Sequence, residues 1–71
     1  MNKINPKKLL NSKWTALKPV NKEKHFLITK VDYDENDEVV LCLLEAVISH
    51  RESEVFWPDL KDDAQWLQGW K

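Results

Sequence analysis

The sequence predicts an α+β fold: an antiparallel β-meander of three to four strands, a C-terminal α-helix packed on it and a short N-terminal helical turn. Three observations lead there. Glu38–Ser49, EVVLCLLEAVIS, is a short apolar run with β-branched residues at Val39, Val40, Val47 and Ile48; its length and polar flanks favour a covered strand over a buried helix. Asp34-Glu35-Asn36-Asp37 precedes it as a hairpin loop, with Asn36 suited to a left-handed position. Leu60, Ala64, Trp66 and Leu67 then fall at helical spacing ahead of Gly69, the chain's one glycine.

Taken in order, Asn5-Pro6 offers an N-cap followed by proline at the first helical position, so Pro6–Leu10 is expected to form about one helical turn with Leu9 and Leu10 docked. Lys13–Leu17 is a strand ended by Lys18-Pro19. His25–Tyr33 is the second strand. Closing the hairpin in its simplest register pairs Tyr33 with Glu38, Val31 with Val40, Thr29 with Cys42 and Leu27 with Leu44. A polar break at His50–Ser53 leads to a fourth strand, Glu54–Trp57, which would set Val55 against Ile48 and Trp57 near Ala46. Pro58 stops it. Asp59 or Asp62 can cap the C-terminal helix, and Asp62, with Gln65 three residues on, has the spacing of a capping box.

At 71 residues the chain is read as a single domain spanning 1–71, ordered over about 5–70, with Met1–Ile4 and Lys71 mobile. A chain this short buries only about 60% of the surface its unfolded form exposes, so each large ring counts. Trp14, Trp57 and Trp66 are expected in the core; Trp70, beyond the helix-ending glycine, needs a groove or a partner. Cys42 is the one cysteine, so no internal disulfide forms. With no apolar leader and no apolar run near about 20 residues, the reading is a soluble cytoplasmic protein that does not enter a membrane.

The net charge of −1 conceals an asymmetry. Residues 1–30 carry eight lysines against Glu23 alone, a formal +7, and residues 31–71 carry eleven acids against Arg51, Lys61 and Lys71, a formal −8. Such a split marks either an electrostatic binding face or two halves that neutralise each other.

Several short blocks carry a resemblance: Asn5-Pro-Lys-Lys-Leu-Leu, Ser12-Lys-Trp-Thr-Ala, Glu23-Lys-His-Phe, Leu44-Glu-Ala-Val, then Trp57, Leu60, Trp66 and Gly69-Trp70. Together, from about Asn5 to Trp70, they resemble a family of small tryptophan-rich bacterial proteins of unknown function. The resemblance implies a stand-alone bacterial, cytoplasmic domain and assigns no catalytic or binding residue.

Chemistry is sparse. Ser12, His25 and His50 lack any nucleophile-elbow pattern, and a triad is defined by geometry. His25, His50, Cys42 and Glu45 have no paired ligand spacing, so no metal or cofactor is implied. Cys42 reads as inert packing. Glu45, inside the apolar run, reads as an ion-pair partner of Lys13, Lys24, Lys30 or Arg51, or a hydrogen-bond partner of Trp14 or Thr15. Two functions survive. The first is a small protein-interaction or regulatory module without catalysis, which receives another chain on a sheet face or edge near Trp70. The second is nucleic-acid binding by Lys7, Lys8, Lys13, Lys22 and Lys24 beside exposed rings, ranked lower because the acidic half opposes a polyanion.

Overall fold

The computed structural model describes residues 2–71. Met1, the first of the residues expected to be mobile, lies outside them. Five strands form one antiparallel sheet: β1 Lys13–Val20, β2 Glu23–Tyr33, β3 Val39–Ala46, β4 Glu52–Glu54 and β5 Trp66–Gln68, in the order β4-β3-β2-β1-β5. Two 3-10 turns, Pro6–Lys8 and Trp57–Lys61, are the only helical pieces among the described residues.

This corrects the α+β expectation. Asp62, the proposed helix cap, instead has extended backbone and ends the second 3-10 turn. Its side chain accepts from the Ala64 amide at 2.9 Å, and its carbonyl accepts from the Gln65 and Trp66 amides at 3.1 and 2.9 Å. The residue that would have started a helix closes a tight turn. A helix stopped at Gly69 is too short to be more than marginal on its own, whereas the free edge of β1 offers a ladder: Ala16 pairs with Trp66, Thr15 with Leu67 and Trp14 with Gln68. Gly69, at φ +82°, turns the chain out of β5 and does not end a helix.

The N-terminal signal does start a turn. The Asn5 side chain accepts from the Lys7 amide at 3.0 Å ahead of Pro6. Leu9 is fully buried, but Leu10, expected to dock, is exposed.

The β2–β3 register also departs from the expected one. The loop has three residues, Glu35–Asp37, closed by Asp34 and Glu38, and Asp37 takes the left-handed position foreseen for Asn36. The Asp34 carboxylate fixes this loop by accepting from the Asn36 and Glu38 amides. Shortening the loop by one residue shifts the ladder, so Tyr33 faces Val39 and Ile28 faces Leu44. Irregularities between Ile28 and Lys30 and between Asp32 and Tyr33 adjust it further. β3 ends at Ala46, earlier than expected, and the chain turns through Val47–His50. β4 therefore sets Glu54 opposite Leu43, and Val55 bonds to the Cys42 carbonyl and not beside Ile48.

The core lies on one sheet face: Leu9, Trp14, Ile28, Cys42, Leu44 and Leu60, with Ile4, Phe26, Val31, Trp57 and Trp66 packed against it. The N-terminal segment and the second 3-10 turn thus do the covering that a helix was expected to do. Asn2 holds them together, its side-chain amide donating to the Leu60 and Trp66 carbonyls at 2.8 and 2.7 Å. Trp14 is buried with its indole N–H on Ser12 Oγ, which itself donates to the Leu9 carbonyl.

Leu60 bears most directly on the roof, since it is wholly buried. Leu60→Ala should lower unfolding free energy by about 2–5 kcal/mol, measured as a reduced urea midpoint at unchanged slope; a loss well under 1 kcal/mol would show that this turn does not close the core.

Candidate functional site

Lys7 and Lys8 stand exposed on the first 3-10 turn, Lys13 opens β1, Lys22 sits in the β1–β2 turn and Lys24 lies in β2. Lys13 and Lys22 are thus separated by the length of β1. Of the residues singled out from the sequence, Lys13 and Trp70 are brought into contact, with Nζ 4.7 Å from the ring centroid. Trp70 has the groove it needed: its indole N–H donates to the Phe26 carbonyl at 2.9 Å, and His25 lies 6.1 Å away, ring to ring. The flanking backbone is held by Thr15, which is buried. Its hydroxyl donates to the Gly69 carbonyl at 2.7 Å and accepts from the Lys71 amide at 2.9 Å. Trp70 is 44% exposed, so one ring surface is engaged by the domain and part remains open.

A second cluster ties the β1–β2 end of the sheet to the β3–β4 turn. Glu23 starts β2 and is buried; the Arg51 guanidinium donates to it through Nε, at 3.3 Å to Oε2, and through Nη2 to Oε1. The Ser49 hydroxyl donates to Oε2 as well. Arg51 and Ser49 hold the Glu23 carboxyl below the usual carboxylate range, and Glu23 in turn raises the Arg51 guanidinium. This cluster was missed from the sequence although its signal was there: the single acid of the basic half and the single arginine of the chain, whose planar fork suits a buried carboxylate. Glu45 does not take Arg51 or a lysine; its carboxylate meets His50 Nδ1 at 3.2 Å. Cys42 is buried, and burial pushes its thiol up, away from the reactive thiolate.

Two concavities flank these groups. A groove of about 340 Å³ crosses the inner face between Ala16, Phe26, Leu44, Val55 and Trp66, with Glu23 and Arg51 at one end. A cleft of about 380 Å³ lies between Val39–Cys42 and Glu54–Trp57. Beside that cleft β3 is an open edge: β4 pairs with Leu43–Glu45, whereas Val39 and Leu41 pair with β2, Val40 sits unpaired between them at a register shift, and among the described residues no strand covers their other side. Val40 and Phe56, at 59% and 70% exposure, flank it.

Because the folded-state pKa of Glu23 is lowered, its pairing stabilises the fold fully above the unfolded carboxyl value, about 4.3, and that contribution disappears as pH falls through the lower folded value. Glu23→Gln should therefore lower the urea midpoint at pH 7, and the gap from the natural protein should narrow steadily below about pH 4. A gap that stays constant down to pH 2 would remove Glu23 from the acid-sensitive groups.

Among the described residues no helix is long and apolar enough to cross a membrane. Comparison with curated proteins and with solved structures gives no match. The family model described as tryptophan-rich protein (DUF2389) matches residues 12–71, from the Ser12 that holds the Trp14 indole to the Lys71 that follows Trp70. The chain belongs to this family of tryptophan-rich proteins of unknown function.

Proposed function

We propose that the protein is a small cytoplasmic interaction module without catalytic activity of its own, and that it receives an extended segment of another protein along the open edge of β3. The observation that carries this reading is the uncovered stretch Val39–Leu41, lying beside a cleft flanked by exposed Val40 and Phe56. An added strand gains main-chain hydrogen bonds from such an edge, and a neighbouring apolar cleft takes every second side chain.

Charge supports one kind of partner. Glu54 lines the cleft, and Glu35, Asp37 and Glu38 stand exposed in the loop at the β3 end of the edge. A second copy of this chain would bring like charges together, whereas a basic segment with alternating apolar residues meets complementary ones. Nucleic-acid binding is the weaker alternative. Lys13 and Lys22 stand at opposite ends of β1, and the Trp70 face nearest the lysines is occupied by Lys13.

The test is site-specific photocrosslinking in cells from position 40, with position 20 at the exposed β1–β2 turn as control. Position 40 should capture one partner through a basic, extended segment, and a synthetic peptide of that segment should bind the purified protein and lose about ten-fold in affinity, about 1.4 kcal/mol, to Val40→Lys. Equal labelling from the two positions, or a peptide indifferent to Val40→Lys, would defeat this reading.

A further inference from the structure

The inner-face groove lies at a different place from the β3 edge and has a different chemistry. Its floor is apolar and partly aromatic, with Phe26 and Trp66 edge to face at 5.4 Å between centroids and Ala16, Leu44 and Val55 around them. One end is polar. There Glu23 of β2 and Arg51 of the β3–β4 turn meet, and Lys18 of β1 also lines the groove. Arg51 is held in an unusual way: its carboxylate partner is 8% exposed while its own side chain is 66% exposed. The grip uses Nε and one N–H of Nη2. Of the five N–H donors of a guanidinium, three therefore remain, on a side chain whose position is already fixed by a buried anchor.

We propose that this groove binds a small organic carboxylate with an apolar, aromatic body. The carboxylate takes the free guanidinium donors of Arg51 with Lys18 alongside, and the body lies over Phe26, Leu44 and Trp66. An arginine immobilised before the ligand arrives loses little side-chain freedom on binding, and a planar carboxylate matches its fork. A dianion fits less well, because Glu23 already offsets part of the Arg51 charge. A ring approaching Phe26 and Trp66 extends an aromatic pair already in the favoured tilted geometry. At about 340 Å³ the groove is at the small end of ligand sites, which suits a single-ring acid better than a long chain.

Amide and indole chemical-shift titrations with phenylacetate, phenylacetamide and phenyl phosphate test this directly. Phenylacetate should give saturable shifts at Phe26, Leu44, Val55 and the Trp66 indole N–H. Phenylacetamide and phenyl phosphate should each bind at least about ten-fold more weakly. Arg51→Gln should weaken phenylacetate by a similar factor, and Arg51→Lys, which keeps the charge but loses the fork, should not restore it. Where neither variant folds, the contrast between phenylacetate and phenylacetamide on the natural protein decides alone. Equal binding of acid and amide, tighter binding of the phosphate, full affinity in a folded Arg51→Gln, or no saturable shift below about 10 mM would each overturn the proposal.

Discussion

One extra residue in β2, Thr29, decides which side chains of this protein face inward. Between Ile28, opposite Leu44, and Lys30, opposite Leu43, the ladder takes up an unpaired position, and a bulge of that kind reverses the in-out alternation beyond it. Ile28 and Val31 therefore both reach the core although they are three residues apart, while Lys30 and Asp32 face outward and approach to 3.8 Å. Thr29 itself donates from its hydroxyl to Glu52 at 2.6 Å, which ties the bulge toward β4. Were the ladder to run regularly through this point, Val31 would leave the core and Lys30 would enter it, an exchange that a fold of this size could not absorb.

The remaining architecture follows from covering a single sheet face without a helix. Two 3-10 turns and the N-terminal segment supply Ile4, Leu9, Trp57 and Leu60 as a lid over one part of the inner face. Large rings make this possible, since a tryptophan or phenylalanine removes about 150–250 Å² from water. A lid of short pieces does not reach everywhere. The groove over Phe26 and Leu44 is what it leaves, and the unpaired stretch of β3 is what a three-residue β4 leaves. Both candidate binding surfaces are therefore consequences of economy in the fold, which places them on the rigid sheet itself.

Sequence patterning carried the three central strands and the burial of Trp14, but not the register, the full core or the ending. The three central strands, the Asn5-Pro6 turn and the tryptophan-rich family were all legible, because alternation, capping residues and paired blocks are local signals. The C-terminal segment was misread because Leu60, Ala64, Trp66 and Leu67 satisfy a helical spacing that Asp62 then overrides with a turn, and because the need of the β1 edge for a partner is a tertiary fact. The register was missed for a smaller reason: whether Asp34 belongs to the loop or closes it depends on its side chain bonding two amides, and one residue of loop length moves every pairing. The candidate lysines come from four places, the first 3-10 turn, the start of β1, the β1–β2 turn and β2, which sequence order alone does not bring together. Trp70, left without an explanation by sequence, found its place through the buried hydroxyl of Thr15 and the carbonyl of Phe26.

The charge asymmetry of the chain takes its meaning from the Glu23–Arg51 pair. It joins the two halves through their minority charges, the lone acid of the basic half and the lone arginine of the acidic one. Removing both from the count raises the first half from +7 to +8 and takes the second from −8 to −9, so this pair does not neutralise the asymmetry but sharpens it. In the sheet order β4-β3-β2-β1-β5 the lysines of β1 lie toward one margin and the acids of β4 at the other, but Asp59, Asp62 and Asp63 lead into β5 on the lysine side, so the two signs are only partly segregated. The exposed acids of the β2–β3 loop, beside the open end of β3, put a negative field there.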